Sequence, residues 1–331
     1  MSKIDHKDDI LIALEKMYKK EQADKNTWKA RAYIIVIKQI KANNNPIYSI
    51  DDLKEIKGLG KSISEKIKEI IETGKLKQAE EYNANNNYAA INDLMRVHAI
   101  GPSKAKDLVE THGIKNIADL KLHTELLNDK QKMGLKYIDE FELRIPRKEM
   151  EKHDKFIHEI IKKINPELMV EIVGSYRRGL KDSGDIDVLI TDPSDKTNID
   201  ELLKNLVKLM EKEKYLIDTF ALGNKKYLGV CKVKYGRHFR RIDLLITKKH
   251  EFPFAIMYFT GDYQFNIDMR NLCLAKGLSL SEYGLKYIKG PLKGQFIEKE
   301  FNTEEDIFNY LGLKYIKPNE RKSNILNNFK L

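Results

Sequence analysis

The chain is poor in cysteine: Cys231 and Cys273 are its only two among 331 residues. Two thiols cannot build the disulfide framework of a secreted scaffold, so a reducing, intracellular compartment is expected. Apolar runs are short, and none approaches the roughly 20 residues that cross a bilayer. The segment from Met1 to Ile10 is charged and lacks the apolar core of a signal peptide. These absences predict a soluble intracellular protein with no membrane partner.

Acidic residues are outnumbered by basic ones. The sequence has 60 lysines and arginines against 50 aspartates and glutamates, a formal charge of +10 and an isoelectric point near 9.1. Such a balance favours polyanionic partners and salt-dependent binding, although it identifies none by itself. The length allows two or three compact units, each with its own core.

The segment Gly174–Gly179 and the acidic segment that follows it form the most informative motif. The first reads Gly-Ser-Tyr-Arg-Arg-Gly and is typical of a backbone cradle for phosphate groups. In the second, Asp185 and Asp187 are two residues apart in an extended apolar run, so both side chains point to the same face. Paired carboxylates beside phosphates suit Mg²⁺. The motif predicts nucleotidyl transfer at a site that metal and substrate share.

A third carboxylate, Asp243, lies in a second strand-like run, Arg240–Ile246. If that run lies beside the first, three carboxylates can hold two ions roughly 3.5–4 Å apart, which clamp the attacking and leaving oxygens. The alternative is that these are ordinary acids at strand ends or turns. An isolated acid inside an apolar run is costly to desolvate, and this favours the metal site.

Two segments in the first part of the chain repeat one pattern, in which an apolar residue, a small residue and glycine precede a lysine-rich helix. They are Ile56–Ile63 and Val97–Lys104, and both are typical of helix-hairpin-helix modules. Tight glycine turns expose backbone N–H groups that bind a DNA phosphate without reading sequence. One such turn can serve helix packing alone, but two in a basic chain favour DNA binding. Ala99 replaces the first glycine of the second copy.

Composition also predicts the organisation of the chain. Apolar spacing indicates short packed helices in the amino-terminal third, and Asn83–Tyr88 has the composition of a linker. A second transition lies at Pro146. From Met169 onward strand-like runs alternate with helical segments, which predicts an α+β arrangement with helices on one side of the sheet.

With these motifs in this order, the chain resembles the family X DNA polymerases from about Asp24 to Pro318. The match includes the run Tyr258–Gly261 and the residues Phe265, Asn266, Met269 and Arg270 that follow it. The resemblance implies a multidomain α+β fold. Its parts would be a helical lyase-type domain over residues 1–84, a thumb with the second hairpin over 85–145, a nucleotidyltransferase palm with a mixed sheet and helices over 146–249, and fingers over 250–331.

The resemblance also implies roles for individual residues. The catalytic acids and ligands of two Mg²⁺ ions, which Mn²⁺ can replace, would be Asp185, Asp187 and Asp243. The dNTP would contact Arg144, Gly174, Ser175, Arg178, Gly184, Tyr258, Phe259, Gly261 and Asn266. The DNA would contact Gly58, Gly60, Lys61, Gly101, Ser103, Lys104, Arg241, Arg270 and Tyr283, and the hairpin backbones are candidate sites for Na⁺ or K⁺.

A second activity is implied by the register of Lys66 after the first hairpin. Its amine would form a Schiff base with a 5′-deoxyribose phosphate, whereas the ordinary reading is a solvated lysine on an exposed helix. The residues expected around the 5′-phosphate are Lys25, Trp28, Lys29, Lys61 and Ser62. Several positions depart from the family pattern: Ser62 replaces a lysine, Ala23, Asp24 and Trp28 replace a His-Lys-Tyr set, Leu245 replaces an arginine, and Asp262 replaces a serine.

The resulting hypothesis is a monomeric gap-filling polymerase of base excision repair that acts on gapped or nicked DNA with dNTPs. A repair nuclease and a ligase would act in trans. Three alternatives remain open: a template-independent terminal transferase, a transferase acting on RNA ends or small molecules, and a noncatalytic DNA-binding scaffold. The first would need a long loop before Asp243, but the segment Lys234–His238 leaves room only for a tight turn.

Overall fold

The computed structural model describes residues 4–43, 45–56, 58–84 and 86–321. These residues form two compact units, one ending at Ile138 and one beginning at Asp139. Parts of the predicted segments lie outside the described residues: residues 1–3 and 44 of the amino-terminal domain, Lys57 of the first hairpin, Asn85 at the expected linker, and the segment 322–331.

The first unit is helical. Its α-helices are α1 (Lys7–Ala23), α2 (Thr27–Ala42), α3 (Lys61–Thr73), α4 (Lys77–Ala84), α5 (Asn86–Leu94), α6 (Pro102–Glu110), α7 (Ile117–Leu120) and α8 (Asp129–Lys136), with 3-10 turns at Ile50–Leu53 and Thr124–Leu126. Two apolar clusters form its core. One gathers α1 to α3 around Leu14, Val36 and Ile67, and the other gathers α5 to α8 around Leu94 and Leu108.

Each hairpin holds one residue in left-handed backbone: Gly58 has φ 84° and Ala99 has φ 68°. Side chains rarely adopt this conformation, so Ala99 makes the same kind of turn at a cost that glycine avoids. Each turn leads directly into a helix, since Gly60 and Gly101 are the extended N-cap residues of α3 and α6. The repeat therefore folds as two similar helix entries.

The expected linker around Asn85 connects helices that share packing partners. α1 packs against both α4 and α5. Asp24, just past the end of α1, accepts a hydrogen bond from the Tyr88 hydroxyl at 3.0 Å. It also forms an ion pair with Lys20 at 2.6 Å. The helices on both sides of Asn85 accordingly belong to one compact unit.

The second unit combines helices with a sheet, and α9 (Ile138–Phe141) lies at the junction of the two units. Its other helices are α10 (Arg147–Ile164), α11 (Gly174–Arg177), α12 (Ile199–Lys212), α13 (Phe252–Thr260), α14 (Tyr263–Ala275) and α15 (Glu304–Tyr310), with a 3-10 turn at Pro318–Glu320. Its strands are β1 (Ile145–Pro146), β2 (Met169–Ile172), β3 (Asp182–Ser183), β4 (Ile186–Thr191), β5 (Leu216–Leu222), β6 (Lys226–Cys231), β7 (Arg240–Thr247), β8 (Leu278–Ser281) and β9 (Gly284–Tyr287).

Five strands form one mixed sheet in the order β2-β4-β7-β6-β5. Only β4 and β7 are parallel, and the remaining neighbours are antiparallel. The strands β1 and β3 form a short ribbon, as do β8 and β9.

Helices cover both faces of this sheet. Alternate residues of β4 such as Val188 pack with α10 and α12, while Leu189 and Leu245 on the opposite face pack against α13. The expectation of helices on one side was therefore incomplete: runs that are apolar on both faces need cover on both. The α+β multidomain class itself is confirmed.

The carboxyl-terminal part of the second unit contains a buried ion-pair network. Glu304 in α15 lies 2.8 Å from Arg177 of α11 and 2.7 Å from Arg321. The Arg321 guanidinium also lies over the rings of Phe265 and Phe308 at 5.1 and 5.7 Å. These contacts attach α11 to the region around α14 and α15. Across the described residues, no helix combines the length and apolarity needed to cross a membrane.

Candidate active site

The three predicted acids lie where β4 and β7 begin. In the parallel pairing of these strands, Asp187 is directly opposite Asp243. Asp185 immediately precedes β4 and is two residues from Asp187, so it shares that face. The face is the one that α13 covers further along the strands, through Leu189 and Leu245. The pairing thus brings together carboxylates that the sequence separates widely.

Two cations contact these acids. Arg241 is paired with Asp185, and Lys226 Nζ lies 3.1 Å from Asp243 Oδ2. Arg241 is on the acid face because it is two residues from Asp243 on the same strand. Lys226 begins β6, the neighbour of β7. The carboxylates are therefore partly neutralised by side chains of the chain itself.

Asp187 is the acid with the most unfavourable surroundings. Burial, followed by the charges of Asp185 and Asp243, raises the pKa of Asp187 to about 7. Excess negative charge of this kind is what a divalent cation relieves, and carboxylate oxygens are the ligands that Mg²⁺ prefers. The donor chemistry fits the ion that the family implies.

The side chains are not drawn together around one point. Within the ranges that the structure describes, no group of three or more His, Cys, Asp or Glu side chains converges tightly enough to hold a metal ion. The reason is visible in the contacts of Asp185 and Asp243, which turn toward Arg241 and Lys226. Each of these ion pairs uses Oδ2 of its acid, so Oδ1 of Asp185 and of Asp243 is the oxygen left for a metal ion.

The predicted phosphate cradle borders the acids. Gly174 has φ 61°, and a Cβ built there would lie 3.1 Å from Asp187 Oδ2. A side chain would thus crowd the acid and strain the backbone. Ser175 follows in the four-residue helix α11 and donates a hydrogen bond to Ser183 Oγ at 2.9 Å. This contact ties the cradle to β3.

Arg144 reaches the same region from the segment before β1. Its Nε donates to Asp182 Oδ1 at 2.8 Å, and a Cβ at Gly184 would lie 2.9 Å from one of its terminal nitrogens. Gly184 therefore leaves the space that the guanidinium fills. The arginine is exposed and is held near the cradle by β3.

Neither arginine of the motif is a solvated turn residue. Arg177 donates to Thr260 Oγ1 at 2.8 Å and forms its ion pair with Glu304. Arg178 donates to the Thr260 carbonyl oxygen. Both contacts attach α11 to the end of α13. The bond to Thr260 uses one terminal nitrogen of Arg178, and the rest of the guanidinium is left for the triphosphate contact that the family pattern implies.

The residues expected around the sugar and base lie at the end of α13 and in α14. The rings of Tyr258 and Phe259 meet edge to face with centroids 5.0 Å apart. Asn266 donates to the Tyr258 carbonyl oxygen at 2.7 Å, and the Arg270 guanidinium lies 4.9 Å from the centre of the Tyr258 ring. The structure brings these four residues together, and their roles stay predictions.

Asp262, the departure from serine, has a clear structural role. It is the N-cap of α14 and accepts a hydrogen bond from the Phe265 backbone N–H at 2.9 Å. Aspartate and serine are both preferred N-caps. Gly261 precedes it with φ 71°, and a Cβ there would lie 3.2 Å from Arg178. The departure therefore preserves the helix start.

Leu245, the departure from arginine, is a core residue. Only 8% of it is exposed, and it packs with Leu189, Phe252 and Ile256 between the sheet and α13. An apolar side chain is the natural occupant of this position here.

In the first unit, Lys66 lies in α3 and donates a hydrogen bond to Ser62 Oγ at 3.2 Å. The replacement of lysine by Ser62 thus puts a neutral partner beside the predicted nucleophile. Trp28 is 83% exposed near the start of α2. In the described part of the chain, no hydrogen bond or ion pair joins Lys25, Trp28 or Lys29 to Lys61 or Ser62.

The remaining residues expected to bind DNA are distributed over both units. Ser103 and Lys104 lie in the first turn of α6, after Gly101, and Lys104 pairs with Asp107 at 2.9 Å. Tyr283 is half exposed in the turn between β8 and β9. Their roles stay predictions.

Sequence reasoning missed the partners of these residues. They are Lys226 beside Asp243, Asp182 beside Arg144, Ser183 beside Ser175, Thr260 beside both motif arginines, and Glu304 beside Arg177. Thr260 belongs to the run Tyr258–Gly261 and Ser183 is only eight residues from Ser175, but neither local pattern indicates the contact. The other partners are ordinary charged residues distant in sequence from the groups that they contact.

Comparison with known proteins gives a consistent result along the chain. Four family models match in succession: a helix-hairpin-helix domain over residues 5–76, the fingers domain of DNA polymerase lambda over 92–142, the DNA polymerase beta palm over 144–249 and the DNA polymerase beta thumb over 255–322. In these models the segment with the second hairpin is called the fingers and the carboxyl-terminal segment is called the thumb, which is the reverse of the names used for the predicted domains. The domain boundaries drawn above stay predictions.

Similar whole proteins include two named DNA polymerase lambda. The one from Rattus norvegicus is 31% identical over 323 residues, which cover 94% of this chain and 56% of the relative. The one from Arabidopsis thaliana is 30% identical over 289 residues, or 83% of this chain and 54% of the relative. A DNA nucleotidylexotransferase of Xenopus laevis is 28% identical over 335 residues, or 90% of this chain and 65% of the relative.

The chain spans a little over half the length of the two lambda relatives. The four model matches nevertheless follow one another from residue 5 to residue 322, in the order that the motifs predicted. The chain belongs to family X of the DNA polymerases.

Proposed function

We propose that the protein is a template-dependent DNA polymerase that fills short gaps during base excision repair. It adds a deoxynucleotide to a primer 3′-hydroxyl and releases pyrophosphate. The observation that carries this proposal is the placement of Asp187 opposite Asp243, with Asp185 on the same face and the glycine cradle alongside. The names of the lambda relatives agree with this chemistry.

The described side chains suit the steps of such a reaction. Asp243 orients the primer hydroxyl or accepts its proton. The backbone at Gly174 and the Ser175 hydroxyl hold the triphosphate. Bound Mg²⁺ ions supply charge neutralisation and Lewis acidity at the transferred phosphate. The paired rings of Tyr258 and Phe259 form a wall that a ribose 2′-hydroxyl would strike.

Base-pair checking falls to two residues near that wall. Asn266 and Arg270 both contact Tyr258, and in this proposal they meet the minor groove, where every correct pair presents similar acceptors. Such contacts test the shape of a pair and ignore its sequence.

A lyase activity is the second part of the proposal. Lys66 would attack the sugar aldehyde of a 5′-deoxyribose phosphate, with the Ser62 hydroxyl in contact with its amine. Borohydride trapping on such a DNA end tests this step. Lys66→Ala should remove the adduct and spare extension, whereas Lys68→Ala on the same helix should leave both intact. Undiminished trapping by Lys66→Ala would reject the assignment.

A terminal transferase is the second candidate because a nucleotidylexotransferase is among the similar proteins. The short connection between β6 and β7, residues 232–239, argues against it because it contains a turn in which the Gly236 N–H donates to the Val233 carbonyl oxygen at 2.8 Å. A DNA-binding scaffold would not need the acids to be in register.

One assay separates these functions. Each dNTP is offered with Mg²⁺ to a one-nucleotide gapped duplex that carries a 5′-deoxyribose phosphate, and separately to single-stranded DNA. Insertion of only the complementary dNTP in the gap supports the proposal. Untemplated addition to single strands identifies a transferase, and no incorporation with retained DNA binding identifies a scaffold. Excision and sealing remain tasks for a nuclease and a ligase in trans.

A further inference from the structure

Arg240 is a buried arginine that the proposed chemistry does not use. It begins β7, three residues before Asp243, so the two side chains point to opposite faces of the sheet. Only 2% of Arg240 is exposed. A charge at such a position needs a defined set of partners.

Those partners come from one short segment. The Arg240 Nε and one terminal nitrogen donate to the two carboxylate oxygens of Glu149 at 2.7 and 2.9 Å, and the other terminal nitrogen donates to the Leu143 carbonyl oxygen at 2.9 Å. Bidentate arginine–carboxylate pairs fix direction as well as distance. Arg240 thus binds β7 to residues 143 and 149.

That segment also carries the phosphate side of the site. Arg144 directly follows Leu143, and β1 then pairs with β3, where Ile145 is opposite Ser183. Ser183 accepts the hydrogen bond from Ser175. Glu149 follows in the first turn of α10. A continuous chain of contacts therefore leads from Asp243 through Arg240 to the cradle.

A second layer supports Glu149. His153, one turn further along α10, has its Nε2 3.9 Å from Glu149, and its Nδ1 lies 2.7 Å from the Tyr215 hydroxyl. Tyr215 in turn stacks on Phe156 with ring centroids 4.3 Å apart. The Glu149 carboxylate thus has the Arg240 guanidinium at hydrogen-bond distance and the buried His153 ring nearby.

We infer that Arg240 and Glu149 are positioning residues that set the separation between Asp243 and the triphosphate cradle. The inference rests on the proposed function, since it concerns the geometry of that same site. A buried ion pair contributes little net stability compared with apolar residues of similar size, which makes a geometric role separable from a stabilising one.

The test uses the double variant Arg240→Met with Glu149→Leu in the full chain. The apolar pair should leave the melting temperature within about 4 °C of the wild type. A displacement of about 1 Å costs on the order of 100-fold in rate, so we expect kcat for gap filling to fall about 10- to 100-fold, and KM for dNTP to rise, with unchanged DNA affinity. Arg240→Lys, which keeps the charge and loses the fork, should show a smaller loss in the same direction.

A matched control is the exposed pair Lys163–Glu213, 3.5 Å apart at the other end of α10. Glu213→Gln should change neither stability nor kinetics. Wild-type kcat and KM in a folded double variant would overturn the inference. A wild-type protein that inserts no nucleotide would instead reject the proposed function.

A readout independent of activity is the Cα separation of Arg144 and Asp243 in crystal structures of the wild type and the variants. The inference requires that the Cα separation change by about 1 Å in the double variant. If the double variant does not fold, the separation must change measurably in Arg240→Lys. An unchanged separation would overturn it whatever the activity.

Discussion

Asp187 and Asp243 occupy directly opposite positions on the adjacent parallel strands β4 and β7. Neighbouring strands lie about 4.8 Å apart, so this pairing holds two carboxylates close together on one face. Burial, and then the charges of Asp185 and Asp243, raise the pKa of Asp187. The catalytic role proposed for these acids and the stability of the fold therefore oppose each other at this point.

Asp187→Asn should abolish gap filling while leaving DNA affinity within a few fold. In EDTA at pH 8 it should also raise the free energy of unfolding by about 1–3 kcal/mol, because it removes a charge that burial and two neighbouring carboxylates disfavour. Primer extension, DNA titration and urea denaturation check the three effects. Glu201→Gln on α12 is the control and should alter none of them. Normal insertion by the Asn variant would reject the site.

Exchanging glycine and alanine at the left-handed residue of each hairpin should change the free energy of unfolding in opposite directions. Ala99→Gly should raise the free energy of unfolding by about 0.4–1 kcal/mol, because it relieves a left-handed alanine. Gly58→Ala should lower it by about 1 kcal/mol or more, through backbone strain alone, since a Cβ there meets Ile35 at an ordinary 3.5 Å. Gly60→Ala, in open space with φ −76°, should have only a small effect. Denaturant titrations rank the three, and a stabilised Gly58→Ala would contradict the turn geometry.

Gly134→Ala should destabilise the first unit severely. A Cβ at this position in α8 would collide with the backbone carbonyl of His98, so either the helix or the second hairpin must move. Overpacking of this kind costs about 1–3 kcal/mol or more. Thermal unfolding measures the loss. Gly101→Ala, which meets nothing within 4 Å, is the matched comparison and should be much milder.

Restoring the family arginine with Leu245→Arg should harm this protein. The side chain would place a charge in the apolar cluster between the sheet and α13, at a cost of several kcal/mol. Leu245→Met, which conserves volume, should cost less than about 1.5 kcal/mol. Unfolding curves for the two variants separate the effect of burying a charge from the effect of changing the side-chain shape. Equal stability of the two would mean that an arginine can escape to solvent there.

The protein should lose stability as the pH falls below about 6.5, the ordinary pKa of an unfolded histidine. Burial lowers the pKa of His153 in the folded state, so the unfolded chain binds the extra proton first and unfolding becomes easier in acid. The decline in melting temperature between pH 7.5 and pH 5.5 should be smaller in His153→Gln. His158→Asn, which alters a partly exposed histidine, is the control. An identical slope in His153→Gln would exclude this histidine as the cause.

The features that could be predicted from the sequence are those set by residues close together in the chain. The hairpins were predicted from local patterns, and both turns have the left-handed residue that such patterns require, even with Ala99 in place of glycine. The face shared by Asp185 and Asp187 follows from strand geometry alone. By contrast, the composition of Asn83–Tyr88 indicated a linker, whereas the helices on either side of Asn85 share α1 as a packing partner.

The sequence by itself determined the chemistry of this protein: three acids in apolar strands, a glycine cradle and two hairpins, each a pattern of neighbouring residues with a physical meaning of its own. Only the tertiary structure decided which side chains oppose these groups. Arg241 meets Asp185 from 56 residues away, Arg177 meets Glu304 from 127 and Arg240 meets Glu149 from 91. Such partners carry no local signal, because strand register and helix packing, both set by burial over the whole unit, bring them together.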